Sequence, residues 1–511
     1  MLAIIKSLAV IGLDASLIQV EVDVSAGLPS FDIVGLPDAS VREARERVRT
    51  AIKNSGFEFP VKRVTVNLAP ADLKKEGPGF DLPIAVGILT ATGQLDPEKV
   101  EPYFFVGELS LEGTVRRIPG VLPMACALSG AAGETSFLVV PEENGFEAAL
   151  AGKAKILAVQ NLRQLVEMLL GNIALAPVEV ELDRFFAEKA SEGPDFAEVK
   201  GQDGVKRALE VAAAGGHNIL LMGSPGSGKT MLARRLTSIL PKLTLEEALE
   251  ISKIYSSSGL LNPTKPLITE RPFRAPHHTA SSASLIGGGK IPRPGEVSLA
   301  SGGILFLDEL PEYRRDVLEA LRQPLEDRVV TVSRVAAAIT YPASFMLVAA
   351  MNPCPCGYYG DSEKECICTP YQIQRYRGKI SGPLLDRIDI QVEVPRLKYK
   401  DLENGKTGDS SVRIKSRVEQ ARQIQRERLA KFGINCNAQM TPKLLKQFCV
   451  MSEEARSLLR LAFQQLGLSM RAYDRLLKIA RTIADLSGEA IINKSHIAEA
   501  IQYRILDRQV N

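Results

Sequence analysis

The chain has 511 residues, with 63 Lys and Arg against 60 Asp and Glu, a formal net charge of +3. That balance excludes a broad attraction to polyanions, so any basic surface has to be local. With 45% hydrophobic and 24% charged residues the composition is that of a folded globular protein, and the length predicts about two to four domains. The opening Met1-Leu-Ala-Ile-Ile-Lys6 has no basic segment followed by a long apolar core, which argues against a signal peptide. No apolar run reaches membrane-spanning length. A cytoplasmic protein without membrane contact is expected, and there the 7 cysteines point to metal or free thiols rather than disulfides.

Residues 1–172 read as a self-contained α+β domain. Ile18–Val24 alternates apolar and polar residues, the pattern of a half-buried strand. Ala39–Lys53 is a charged helix, Val64–Leu68 a strand, Leu82–Thr92 an apolar helix and Ser136–Val140 a strand. This order, with Gly77-Pro-Gly-Phe-Asp81 opening a helix, resembles the proteolytic domain of Lon-type proteases, a ribosomal-protein-S5-like fold. The catalytic serine of that family falls on Gly79, and its lysine near Leu122. Without a nucleophile and a base there is no acyl transfer, so a non-peptidase role in assembly or binding is expected. Ser30 and Ser40 read as turn or cap residues.

A linker is read over 173–198, with Pro177 and the Gly193-Pro194 breaker. The ATPase core is read over 199–398. Asn218–Met222 is a buried strand. It runs into Gly223-Ser224-Pro225-Gly226-Ser227-Gly228-Lys229-Thr230, and a helix follows. Strand, glycine loop and helix together give G-x-x-x-x-G-K-[ST] its meaning. Backbone N–H groups turn inward around phosphate oxygens, and the helix N-terminus adds positive potential. Lys229 is expected on the β- and γ-phosphates and Thr230 on Mg2+. Ile304–Leu307 then ends in Asp308 and Glu309, a central strand delivering a Mg2+ carboxylate and a general base for water.

The strand Phe345–Met351 ends at Asn352, where AAA+ ATPases carry the sensor-1 residue. In that resemblance Val199, Gly201 and Gln202 touch adenine. Arg387, in Ser381-Gly-Pro-Leu-Leu-Asp-Arg387-Ile-Asp389, resembles the arginine finger of the magnesium-chelatase and MCM-like group. Arg471, in Ser469–Arg475, resembles a sensor-2 arginine. A second linker is read over 399–411 and a helical lid over 412–511. The first lid helix carries Arg413, Lys415, Arg417, Arg422, Arg426 and Arg428, read as a solvated face before a phosphate contact.

Two inserts interrupt the core. Residues 271–296, rich in Gly and Pro and holding His277, His278, Lys290 and Arg293, read as a loop or hairpin. Val329–Arg334 turning into Ala338–Tyr341 reads as a second hairpin. Both positions match the helix-2 insert and pre-sensor-1 hairpin of MCM-like proteins, which in a ring project into the pore, so Lys290, Arg293 and Arg334 are expected on DNA phosphates. His277 and His278 are read as nucleotide-side or pore residues. Within residues 353–370, Cys354-Pro-Cys356 and Cys366-Ile-Cys368 could close a tetrahedral zinc site.

Across its length the chain resembles the ComM/YifB family of magnesium-chelatase-like AAA+ proteins. The resemblance implies an α/β P-loop AAA+ core with ATP and Mg2+, an N-terminal Lon-like domain and a helical lid. It further implies a hexameric motor on single-stranded or branched DNA, driving branch migration during natural transformation. A magnesium-chelatase motor and a protein-remodelling ATPase are the alternatives.

Overall fold

The computed structural model describes residues 1–131, 136–152, 154–187, 193–289, 292–334, 337–361, 363–397 and 408–504. The chain forms two compact units, Met1–Lys189 with Leu245–Thr269, and Ala190–Thr244 with Glu270–Asn511. Among the described residues no helix is long and apolar enough to cross a membrane.

The first unit is built on a 7-stranded mixed sheet. Its order is Ser30–Val34, Arg63–Ala69, Asp14–Ser25, Leu2–Ile11, Tyr103–Phe105, Phe137–Pro141, Lys155–Val159. The strand Leu2–Ile11 is absent from the sequence reading because its apolar run shows no alternation. Paired with Asp14–Ser25 across a two-residue turn, in the register Ile11 to Asp14, it buries Ala3, Ile5 and Leu8. Helix Asp81–Ala91 is buried along its whole length.

At the helix start, where a Lon-type serine would stand, Gly79 offers no hydroxyl, and Leu122 is fully buried. The neighbouring Asp81 carboxylate is buried and accepts from Arg47 Nε at 2.7 Å, Arg47 Nη2 at 3.0 Å and Leu109 N at 3.2 Å. Those two positions therefore present neither a nucleophile nor a base. Ser30 begins a strand, and Asp38, not Ser40, caps helix Ala39–Asn54 by accepting from Val41 N at 2.8 Å.

Helix Leu245–Ser257 belongs to this first unit although it follows the glycine loop in sequence. Ser256 O accepts from Gly120 N at 2.9 Å, and Ser256 Oγ donates to Glu147 at 2.5 Å. Part of the extra length between the glycine loop and Asp308 is thus an excursion into the first unit.

The second unit holds a 5-stranded sheet in the order Phe273–Arg274, Ile304–Leu307, Met346–Met351, Ile219–Met222, Ile390–Glu393. Every pairing is parallel. Ile219–Met222, Ile304–Leu307 and Met346–Met351 are buried at every position, as strands covered on both faces must be. The two-residue strand Phe273–Arg274 means that residues 273–274 are sheet, not insert. Helices Ser411–Leu429, Pro442–Phe448, Glu453–Leu466, Met470–Leu486 and Lys494–Gln502 complete this unit. They join its core around a buried network in which Asp485 takes Arg481 at 3.1 Å and Arg428 at 2.6 Å. Of the residues read as linkers, Asp195 caps a short turn and accepts from Ser411 N at 2.9 Å, while 399–407 lie outside the described residues.

Candidate active site

The glycine loop leaves the carboxyl end of Ile219–Met222, the edge where open parallel sheets bind ligands. Gly226 and Gly228 have φ of 78° and 91°, the left-handed region, so the loop curls around its own N–H groups. A Cβ on Gly223 would lie 2.4 Å from Val394 O, which forbids any larger residue. Helix Lys229–Ile239 begins with no side-chain cap, leaving its first N–H donors for a ligand. Lys229 is 9% exposed, and Nζ donates to Gly223 O at 2.7 Å, Ser224 O at 3.0 Å and Asn352 Oδ1 at 3.2 Å. Burial lowers its pKa, against the pull of Asp308 and Glu309. Among the described residues it forms no ion pair. A buried ammonium held only by neutral oxygens, beside uncapped N–H groups, fits a phosphate anion.

Thr230 Oγ1 donates to Asp308 Oδ2 at 2.7 Å. Hydroxyl and carboxylate together are the oxygen ligands Mg2+ takes in phosphate sites. Glu309 follows in a left-handed backbone at φ 51°, which turns its half-exposed carboxylate out of the strand line. There it lies 3.4 Å from His278 Nδ1. His278 is stacked on His277 at 4.1 Å between ring centres, and Tyr313 beneath donates to Pro276 O at 2.6 Å. His277 and His278 thus flank the glycine-loop edge of the sheet, beside Glu309. Sequence alone did not pair His278 with Glu309, because the strand that carries it there, Phe273–Arg274, is only two residues long and sits among prolines. Gln202, read as an adenine contact, braces the loop: Nε2 donates to Ser227 O at 2.9 Å and Pro395 O at 3.0 Å. Val199 is buried in the core, and Gly201 at φ 60° leads into Gln202.

Arg387 and Arg471 lie elsewhere. Arg387 O accepts from Asn218 Nδ2 at 3.0 Å, and Asn218 O accepts from Asp389 N at 3.0 Å. Asn218 precedes Ile219–Met222, so Arg387 is at the amino edge of the sheet. The four-residue strand puts about 13 Å between that edge and the glycine loop. Arg387 is 9% exposed, donates to Pro383 O at 2.7 Å and pairs with Glu326. Arg471, more exposed, approaches the same Glu326 at 3.9 Å. Arg387 faces a cavity of about 410 Å³ lined also by Glu326, Arg328, Arg475 and Lys478 among others. Burial lowers the pKa of Arg328, Arg475 and Lys478. Arg387 Nε and Arg475 Nη1 are buried with no hydrogen-bond partner among the described residues.

Of the residues expected on DNA, Arg293 is exposed in a small hairpin with Gly287–Gly288. Lys290 lies outside the described residues. Arg334 ends strand Val329–Arg334, paired with Ala337–Pro342, and its side chain is outside the description. The basic lid helix is partly internal: Arg417 pairs with Glu210, Arg422 donates to Ala213 O at 2.8 Å and Arg428 binds Asp485. Arg417 and Arg422 hold the lid to the core and Arg428 braces the lid internally, rather than forming a solvated face.

The four loop cysteines converge. Cys354 Sγ is 3.3 Å from Cys356 and 3.6 Å from Cys366, and all four sulfurs lie within 4.8 Å of one another. Cys356 N donates to Cys368 Sγ at 3.4 Å, and Tyr359 N to Cys354 Sγ at 3.3 Å.

The profile described as magnesium chelatase, subunit ChlI, matches residues 195–402. Those for subunit ChlI of Mg-chelatase and its C-terminal part match 20–144 and 408–504. Competence protein ComM of Haemophilus influenzae is 46% identical over 511 residues, covering 99% of this chain and 98% of that protein. The uncharacterized protein YifB of Escherichia coli is 45% identical over 509 residues, again 99% and 98%. The magnesium-chelatase 38 kDa subunit of Rhodobacter capsulatus is 24% identical over 226 residues, 41% of this chain and 57% of that one. A parallel five-stranded core carrying a glycine loop, a helical C-terminal region and similarity over nearly the full length agree, and the chain belongs to the ComM/YifB family of magnesium-chelatase-like AAA+ proteins.

Proposed function

We propose that the chain is an ATP-hydrolysing motor that works as a ring on single-stranded or branched DNA. The observation that carries this is the separation of its parts. Lys229, Thr230, Asp308, Glu309 and Asn352 gather at the carboxyl edge of the sheet, while Arg387 and Arg471 meet Glu326 at the amino edge. An arginine about 13 Å across the sheet cannot reach its own subunit's phosphates. It can reach those of a neighbour, which is how an arginine finger supplied in trans works. Buried arginine donors without partners fit an anion delivered by that neighbour.

In this reading the glycine-loop N–H groups and Lys229 hold the β- and γ-phosphates. Thr230 and Asp308 hold Mg2+, which when bound offsets phosphate charge. Asn352 and Glu309 orient water and take its proton, with His278 fixing where the Glu309 carboxylate rests. Zn2+ at Cys354, Cys356, Cys366 and Cys368 completes the bound ions.

The DNA reading draws support from the relative named competence protein ComM and from the two hairpins carrying Lys290, Arg293 and Arg334. With the net charge near zero, binding depends on a local basic lining summed around a ring, and branch migration during natural transformation is the activity we assign. The test is ATPase turnover with and without single-stranded, duplex and branched DNA. Stimulation by DNA is expected. No DNA affinity at low salt with ATP present would remove the reading and put the protein-remodelling alternative first.

A further inference from the structure

The cysteine loop starts at the nucleotide edge. Strand Met346–Met351 delivers Asn352 to the Lys229 ammonium, and two residues later the chain reaches Cys354. The loop then passes over the glycine loop. Gly357 has φ 86°, and a Cβ there would lie 2.5 Å from Cδ of Pro225. The Asp361 carboxylate turns back on the loop itself, accepting from Glu363 N at 2.9 Å and Lys364 N at 3.1 Å. Gly357 falls between the two cysteine pairs, so gathering Cys354 and Cys356 against Cys366 and Cys368 closes the segment that covers Pro225.

We propose that a zinc ion on these four thiolates clamps residues 357–361 onto the glycine loop, so that metal occupancy sets nucleotide affinity. This rests on the cysteines being a metal site and the glycine loop a phosphate site. A tetrahedral ion with metal–sulfur bonds of about 2.3 Å spaces its sulfurs by about 3.8 Å. The observed separations of 3.3, 3.6 and 3.6 Å need only a small expansion. Two backbone N–H groups already donate to the sulfurs, offsetting the charge that four thiolates bring. Without the ion nothing bonds one cysteine pair to the other, and the closed segment loses its anchor.

The experiment uses the full chain purified without chelator. Elemental analysis is expected to find about one zinc per chain. Cys366→Ser/Cys368→Ser is expected to lose the zinc and to bind mant-ATP, at saturating Mg2+, roughly threefold to tenfold more weakly, the effect of exposing about one buried methylene where the segment leaves Pro225. Gly357→Ala is expected to keep the zinc yet show a similar loss, because its Cβ pushes the segment off Pro225. Wild-type protein without zinc overturns the metal site. Zinc loss with unchanged mant-ATP affinity overturns the clamp. If wild type binds no mant-ATP, the phosphate site itself fails. Should the double variant not fold, unchanged affinity in zinc-loaded Gly357→Ala still overturns the clamp.

Discussion

Replacing Glu326 with Gln removes one negative charge from beside two arginines while keeping the side chain's shape. Glu326 pairs with Arg387 and lies 3.9 Å from Arg471, and hydrogen bonding to Arg387 is the first cause holding its pKa down. To stabilise charge on a neighbour's phosphate, Arg387 has to leave that carboxylate. The Glu326 side chain is 53% exposed, so solvent screens the pair and its strength is that of a surface ion pair, about 0.2–1 kcal/mol. Lowering the barrier by that amount speeds turnover by about 1.5- to 5-fold. The assay is steady-state ATPase of the assembled protein at saturating ATP, in low and in high salt. The gain is expected at low salt and should shrink as salt screens the pair. In an Arg387→Ala background Glu326→Gln should change nothing further. Slower turnover in Glu326→Gln would refute the reasoning, since it would mean that Glu326 orients the arginine for the reaction.

Glu309→Gln should retain ATP binding but lose about 10²- to 10⁴-fold in turnover, read by filter binding and phosphate release, because the cradle around Lys229 does not depend on that carboxylate. Lys229→Ala should lose binding as well in the same filter assay. Replacing Lys290, Arg293 and Arg334 together by Ala should weaken DNA binding for all sequences alike and flatten its salt dependence, measured by fluorescence anisotropy, while ATPase without DNA survives. Asp81→Ala should cost about 3–5 kcal/mol in the first unit, followed by chemical denaturation, because it leaves Arg47 beside a buried gap.

The glycine-loop edge was legible from sequence because each part is local: a strand, a loop with its glycines, a strand ending in Asp308 and Glu309. What stayed hidden depends on tertiary pairing. Leu2–Ile11 shows no alternation and becomes a strand by its partner's register. Helix Leu245–Ser257 carries no mark that it leaves the ATPase unit, because its contacts with Gly120 and Glu147 are over a hundred residues away in sequence. The basic face of Ser411–Leu429 looked solvated, yet Arg417, Arg422 and Arg428 meet acids and carbonyls from distant elements. Likewise Arg387 and Arg471 could be recognised by motif, but their meeting at Glu326, on the edge away from Lys229, needed the fold.

That separation is tested most directly by mixing two inactive proteins. Arg387→Ala subunits keep a sound carboxyl edge, and Glu309→Gln subunits keep a sound arginine. In a ring assembled from equal amounts, about one interface in four joins the good edge to the good arginine. ATPase activity is therefore predicted to reappear in the mixture, up to about a quarter of the wild-type rate. No recovery from subunits shown to co-assemble, or full activity in a strictly monomeric wild type, would contradict a shared site.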